Sequence, residues 1–171
     1  MTIVYTIGYE GTDIGRFVAT LKAAGVKRIA DVRAVPLSRK KGFSKKALSA
    51  QLMQAGIEYS HFVELGDPKP GRDAAKAGLY KEFRNIYSIH FESEAAQVSL
   101  KQLLEFAKQK PTCLMCFERD PTTCHRSIVA AEMAESVGFE VFDLFGDDPE
   151  RYGRNAPRMP RRDTCEGATP T

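Results

Sequence analysis

The residues best suited to chemistry in this chain are a thiol, an imidazole and a guanidinium that are consecutive: Cys124, His125 and Arg126. They stand at the expected start of a helix, where the helix dipole and positive neighbours lower the pKa of a thiol. Cys124 beside His125 would suit a nucleophile, while the free amides and Arg126 would equally suit an anion. A cysteine that only caps the helix is the third alternative. The C-x5-R loop of cysteine phosphatases is absent, because Ala130 stands six residues after Cys124.

The cysteine spacing also raises the question of a metal ion. Cys113-x-x-Cys116, followed by Cys124 and His125, contains a Cys3His set that zinc accepts. Cys113 and Cys116 are three apart on a predicted strand, so their side chains should point to opposite faces. Adjacent Cys124 and His125 would chelate one ion awkwardly. We therefore expect no metal and no cofactor, and Cys113 should be a core thiol.

Two acidic residues are candidates for acid–base chemistry. Glu118 and Asp31 could act as paired carboxylates if their strands are neighbours. Each could instead form a salt bridge with Arg33 or Arg126 and hold the site together. Both alternatives stay open.

Further candidates follow the first two predicted strands. Gly8-x-x-Gly11 could bring backbone amides to a phosphate, or it could simply form a tight turn. The G-x-G-x-x-G spacing of a dinucleotide site is absent, as is a P-loop, so nothing supports ATP hydrolysis. The candidate anion-binding residues are Gly8, Tyr9, Gly11, Arg33, Ser38, Arg39, Cys116 and Arg126.

The elements that must position these residues alternate between strand and helix. Apolar runs predict strands over residues 3–7, 26–32, 57–62, 112–117 and 140–144, with helical patterns between them. This alternation predicts an α/β fold with three layers, a mostly parallel Rossmann-like sheet carrying helices on both faces. Ligands bind at the carboxyl ends of such strands. One pocket there should collect Gly8, Asp31, Arg33, Cys116, Glu118, Cys124 and Arg126.

We expect one domain over residues 1–146 and an Arg- and Pro-rich extension over residues 147–171 that is partly disordered. Two prolines and two glycines predict a long loop over residues 65–71. One or two helices should follow across residues 74–110, and another across about 124–137, ended by Gly138.

Composition places the chain among ordinary globular proteins, with 43% hydrophobic and 27% charged residues. No run of 18 apolar residues exists, so no membrane-spanning helix and no membrane partner are expected. The N-terminus has no basic segment ahead of its first strand, which disfavours a secretory signal. Four unevenly spaced cysteines do not form a disulfide framework, and a reduced, cytoplasmic protein is expected.

The net charge of +3 is unevenly distributed. Residues 27–46 carry eight Lys or Arg and one acid, and residues 151–162 carry five Arg and no acid. Such segments favour a phosphate-bearing partner, either a phosphorylated small molecule or nucleic acid, although solvated surface charge is the alternative. No oligomeric state follows from the sequence.

The order of the motifs resembles one known family. The motifs are Thr6-Ile7-Gly8-Tyr9-Glu10-Gly11, Asp31-Val32-Arg33 with Pro36 and Ser38-Arg39, Phe43, Gly56-Ile57-Glu58-Tyr59, Leu65-Gly66, Leu114-Met115-Cys116-Phe117-Glu118 and Cys124-His125-Arg126. Together they are similar to the DUF488 family, small bacterial and archaeal proteins of unknown function. The resemblance covers about residues 3–145 and omits Cys113 and the Arg-rich tail. It implies the fold and which residues belong together, and it implies no reaction.

Three functions stay open. The first is an anion pocket for a phosphate, a nucleotide or nucleic acid, with Phe43 among the cations of residues 39–46 for base stacking. The second is an enzyme on a small phosphorylated or nucleotide substrate, clamped by Arg33, Arg39 and Arg126. Its chemical groups would be Cys124, His125, Glu118 or Asp31. The third is a zinc-binding or structural protein.

Overall fold

Five strands form one parallel sheet in the computed structural model of the protein, which describes residues 2–155. The strands are β1 (Ile3–Gly8), β2 (Arg28–Asp31), β3 (Glu58–His61), β4 (Thr112–Cys116) and β5 (Glu140–Phe145). Their order across the sheet is β3-β2-β4-β1-β5, and each neighbouring pair is parallel. The predicted parallel α/β sheet is confirmed.

Seven α-helices occur within the described residues. They are α1 (Ile14–Ala23), α2 (Lys45–Gln54), α3 (Lys69–Lys76), α4 (Tyr80–Phe91), α5 (Glu94–Gln109), α6 (Arg126–Val137) and α7 (Glu150–Asn155). Short 3-10 helices cover Val63–Leu65 and Pro121–Thr123. Helix α1 is capped by the Asp13 side chain, which accepts from the N–H of Arg16. Helix α6 ends at Gly138, which has the left-handed conformation that glycine adopts readily.

Each face of the sheet carries its own apolar core, so the fold has three layers. One core lies between the sheet and α4, α5 and α6, and the other lies between the sheet and α1, α2 and α7. Successive strand residues point to opposite faces. Cys116 accordingly belongs to the first core and Cys113 to the second, as the spacing predicts.

The position of β4 sets the edge where the site lies. In the dinucleotide-binding fold the first two strands are neighbours, whereas here β4 lies between β2 and β1. The register pairs Gly8 with Cys116 and Asp31 with Met115. The carboxyl ends of β1, β2 and β4 are therefore level, and the segments that follow them meet.

Two helix starts differ from the sequence prediction. Helix α3 begins at Lys69, inside the predicted loop, because Pro68 is its cap and Pro70 lies in the first turn, where a missing N–H removes no helical bond. Helix α6 begins at Arg126 rather than Cys124, since Cys124 is extended, with φ −126° and ψ 142°.

The fold continues after residue 146. Tyr152 of α7 is buried, and its hydroxyl accepts from the Phe145 N–H at 2.7 Å. The remainder of the predicted extension, residues 156–171, lies outside the described residues. None of the helices described is both long and apolar enough to cross a membrane.

Candidate functional site

A cavity of about 240 Å³ opens where the segments after β1, β2 and β4 meet. Its lining residues are Tyr9, Arg33, Ala34, Val35, Leu37, Asp67, Arg72, Lys76, Cys116, Phe117, Glu118 and His125. Five of these are residues that the sequence singles out: Tyr9, Arg33, Cys116, Glu118 and His125. Cys116, at the end of β4, and His125, ahead of α6, belong to the side of the cavity nearest the sheet.

The wall at Cys116 is a cluster of two thiols and an imidazole. The Sγ atoms of Cys116 and Cys124 are 2.8 Å apart. Nδ1 of His125 lies 3.8 Å from the Cys116 sulfur and 3.9 Å from the Cys124 sulfur. All three residues are buried, and Cys116 and His125 are the two that reach the cavity.

The hydrogen bond of His125 determines how its ring faces the thiols. Nε2 lies 2.6 Å from the carbonyl oxygen of Val32. A carbonyl only accepts, so Nε2 carries the hydrogen and donates it. In the neutral ring, Nδ1 is then the unprotonated nitrogen, and it is the one that faces both sulfurs.

Burial and charge act in opposite directions on these groups. Burial alone would raise the pKa of Cys124, but the hydrogen bond from Cys116 and the nearby Arg126 and His125 cations hold it well below the ordinary value. Burial and the Cys124 charge raise the pKa of Cys116. Burial opposes the charged form of His125 as well, yet the adjacent Cys124 thiolate raises its pKa to about 9. The cluster therefore favours one thiolate, on Cys124, beside an imidazolium.

A carboxyl group adjoins this cluster. Oε2 of Glu118 lies 3.1 Å from the Cys116 sulfur. Burial and the Cys124 charge raise the pKa of Glu118 to about 7. Glu118 also lines the cavity, so an acidic group lies beside the Cys116 thiol there.

Arg126 does not reach the cavity, contrary to its predicted role as an anion clamp. It is fully buried, and its guanidinium donates to Thr6 Oγ1 at 3.2 Å, Glu118 O at 2.5 Å and Arg119 O at 3.2 Å. Nη1 and Nη2 thus bond to carbonyls of the chain after β4, and Nε bonds to β1. Arg126 therefore positions the Glu118 segment.

Gly8 has a similar positioning role. A Cβ atom there would lie 1.7 Å from the carbonyl oxygen of Glu118. The absence of a side chain lets the Glu118 segment cross the end of β1. Gly8 and Gly11 are not among the cavity residues, and Gly11 adopts φ +78°, so the tight-turn alternative describes it.

Asp31 is committed to Arg33 and is not paired with Glu118. Its carboxylate accepts from Arg33 Nε at 2.9 Å, Arg33 Nη2 at 2.8 Å and the Tyr59 hydroxyl. Arg33 also donates from Nη1 to the Phe43 carbonyl at 2.7 Å. Asp31 is fully buried, so the structural alternative describes it, and its partner Arg33 reaches the cavity with its charge already balanced.

The cavity has a rim that sequence reasoning missed, contributed by helix α3 and the segment just before it. Arg72 and Lys76 line it, and Arg72 donates to the Asp67 carbonyl at 2.7 Å. Asp67 is buried, its Oδ1 has no hydrogen-bond partner among residues 2–155, and burial raises its pKa to about 6. The sequence showed Gly66 but not its neighbour: a Cβ there would lie 2.3 Å from Ala34 Cα, a contact that only the structure reveals.

Three other predicted residues lie away from the cavity. Ser38 stabilises its own loop, because its Oγ accepts from the Lys40 N–H at 3.1 Å. Arg39 is exposed and not among the cavity residues. Phe43 is fully buried and stacks on Tyr9 with ring centroids 4.5 Å apart, so it cannot stack on a nucleic-acid base.

Cys116, Cys124 and His125 form the one cluster among the described residues that has three metal-ligating atoms close together, all within 4.8 Å. Cys113 is excluded, because it lies on the other face. Although Cys124 and His125 are neighbours in sequence, their ligand atoms can approach the same position. Cys124 is extended while His125 has the helical φ −62° and ψ −22°, so both side chains reach Cys116.

One family matches the chain. The family described as "Domain of unknown function DUF488" matches residues 13–133, which include β2, β3, β4 and the Cys116, Cys124 and His125 cluster. No curated protein and no solved structure matches the chain.

Proposed function

Because the chain belongs to the DUF488 family, a domain of unknown function, we propose its function from the cavity: an enzyme that acts on a small molecule carrying a phosphate or carboxylate group. The observation that carries the proposal is the pairing of a cationic rim with a reactive wall. Arg72 and Lys76 line the same cavity as Cys116, His125 and Glu118.

The size of the cavity favours a small ligand. Its volume of about 240 Å³ is below the range of roughly 300–1,000 Å³ typical of drug-sized ligands. A nucleic-acid strand does not fit inside it. Nucleic acid is the other phosphate-bearing partner that the charge distribution suggests. Phe43, the residue expected to stack on a base, is buried and cannot do so.

The rim supplies the positive charge for the anion. Arg33 is neutralised by Asp31, so Arg72 and Lys76 are the cavity cations not paired with a carboxylate among the described residues. They are four residues apart on α3 and therefore share one helix face.

The opposite wall supplies the groups that would react. A thiol, an imidazole and a carboxyl group converge there, the residue types used for nucleophilic and acid–base catalysis. An anion held at the rim would place the rest of a small molecule against this wall. Holding a substrate in this way is itself a large part of catalysis.

Binding and conversion can be tested separately. Inorganic phosphate and a set of small phosphorylated and carboxylated metabolites are titrated calorimetrically into the wild type and two variants. Arg72→Gln should weaken binding about tenfold or more, the loss expected for a charged hydrogen bond. Lys69→Gln is the matched control, because Lys69 is an exposed cation of α3 that pairs with Asp73 and does not line the cavity.

Compounds that bind are then incubated with the protein and followed by NMR. Conversion of one of them supports an enzyme, and binding without conversion overturns the catalytic part. If no anion binds, or if both variants weaken binding equally, the anion-pocket proposal is wrong.

A further inference from the structure

We infer that Cys116, Cys124 and His125 form a three-ligand site for a zinc ion, with the remaining coordination position toward the cavity. The inference goes beyond the proposed function, because the ligands are defined without reference to a substrate. It depends on the proposed function only for the use of the open position.

The interatomic distances suit a tetrahedral ion at two of the three edges. Zinc–sulfur bonds of about 2.3 Å and zinc–nitrogen bonds of about 2.0–2.1 Å require sulfur and nitrogen ligands to be about 3.5 Å apart. The two observed separations from His125 Nδ1 are 3.8 and 3.9 Å. The two sulfurs, 2.8 Å apart, would have to separate to about 3.7 Å.

The sulfur–sulfur distance by itself does not favour a metal over a disulfide, because it lies between the values for the two. The orientation of His125 decides between them. Its Nε2–H donates to the Val32 carbonyl, which leaves Nδ1 to face both sulfurs. Metal-ligating histidines are held in this way, with the second ring nitrogen bonded to a carbonyl or carboxylate. A disulfide would leave this nitrogen without a partner, whereas in the reduced, metal-free cluster it carries the imidazolium proton that a zinc ion would displace.

The ligands are also held by rigid parts of the fold. Cys116 ends β4, a central strand, and His125 immediately precedes α6. Cys116 and His125 both line the cavity, as does Glu118. A metal bound by them would therefore face the same space as the carboxyl group of Glu118, which could accept a proton there.

The charges balance on binding. A zinc dication displaces the Cys116 thiol proton and the extra proton of the His125 imidazolium, so the centre of two thiolates and one neutral imidazole is uncharged and two protons are released. Two thiolates and one imidazole are borderline-soft donors, which suit zinc and disfavour magnesium and calcium.

The test measures metal without any substrate. Reduced wild-type protein, passed over a chelating resin, should keep about one zinc per chain by mass spectrometry of the elements. Metal-free protein given Co²⁺ should develop sulfur-to-cobalt charge-transfer absorption. Cys116→Ala, Cys124→Ala and His125→Ala should lose both signals. Cys113→Ala is the matched control and should keep them, since Cys113 is a buried thiol of the same strand on the opposite face.

The wild-type readings do not depend on whether the variants fold. Reduced, folded wild type that takes up neither zinc nor cobalt overturns the site, as does full metal binding by folded Cys124→Ala. A Cys116–Cys124 disulfide in the isolated protein, with no metal uptake after reduction, overturns it too. Phosphate binding by Arg72→Gln reports on the rim, so the two proposals fail independently.

Discussion

Asp31 is the clearest case among the described residues of a buried charge matched by a specific partner. Its carboxylate is fully buried and accepts from Arg33 and Tyr59. Arg33 in turn connects β2 to the Phe43 carbonyl. A buried ion pair of this kind fixes geometry more than it adds stability, but removal of one partner leaves an uncompensated charge.

Asp31→Asn should therefore destabilise the fold by about 3–5 kcal/mol, because the Arg33 charge stays buried without its counter-ion. Urea unfolding followed by circular dichroism measures this change. The matched control is Glu58→Gln at an exposed ion pair with Arg28 and Lys110, where a much smaller loss is expected. Equal losses of unfolding free energy in both variants would mean that the buried Asp31–Arg33 pair contributes no more to stability than the exposed pair does.

The sequence predicted which residues line the cavity better than it predicted what each of them does. Cys116, Glu118 and His125 were identified from their chemistry, and they do line the cavity. Arg126 was assigned to an anion because a guanidinium beside thiols has that chemistry. Its burial, and the backbone carbonyls that use its donors, depend on the chain after β4 crossing β1. That contact is not local in sequence, so no spacing could reveal it.

At the scale of elements, the site depends on how the chain after β4 passes the end of β1. The ladder between the two strands continues beyond them, because Tyr9 N–H donates to Cys116 O and Glu10 N–H donates to Phe117 O at 3.2 and 2.8 Å. Gly8 gives the room for this crossing. The element junction thus sets the position of Glu118.

Gly8→Ala should push the Glu118 segment away and cost about 1–3 kcal/mol, as overpacking of a filled space does. It should also weaken anion binding in the cavity, which calorimetry with inorganic phosphate measures. Gly25→Ala is the control: Gly25 has φ +79° and open space around it, so strain of about 1–2 kcal/mol is expected. If Gly8→Ala binds phosphate as well as the wild type does, the position of the Glu118 segment does not affect anion binding in the cavity.

Strands β1, β4 and β5 were predictable because each is a short, mostly apolar run, whereas β3 (Glu58–His61) is polar and was marked by the flanking apolar residues Ile57 and Phe62. The start of α3 was not predictable, since Pro68 and Pro70 are typical of loops and also of helix beginnings. The rim residues Arg72 and Lys76 were missed with it. The close packing of Gly66 on Ala34, which brings that segment beside the chain after β2, is a contact distant in sequence.

At the scale of the whole molecule, the basic segment over residues 27–46 divides into paired and solvated charges. Arg28 pairs with Glu58 and Arg33 with Asp31, both within the fold. Lys40 donates to the Thr12 carbonyl. Lys41, Lys45 and Lys46 are exposed to solvent.

Replacement of these three exposed lysines with Gln should leave stability within about 0.5 kcal/mol, as is usual at such surface positions. Phosphate affinity in the cavity should also stay unchanged, because none of the three lines it. Any oligonucleotide binding of the wild type at low salt should weaken for all sequences and lose part of its salt dependence. If this variant lost small-anion binding, the anion would bind at the exposed lysines and not in the cavity.

The strand order also constrains when the protein can fold during synthesis. β1 bonds only to β4 and β5, which begin at Thr112 and Glu140. β1 therefore stays without a strand partner until the residues up to β4, more than 100 after it, have been made. Contacts this distant in sequence are slow to form, and the exposed strand edge is a hazard for aggregation meanwhile. The cavity and its thiols also form only once β4 is present. A nascent chain that stops before β4 therefore has neither the complete sheet nor the site.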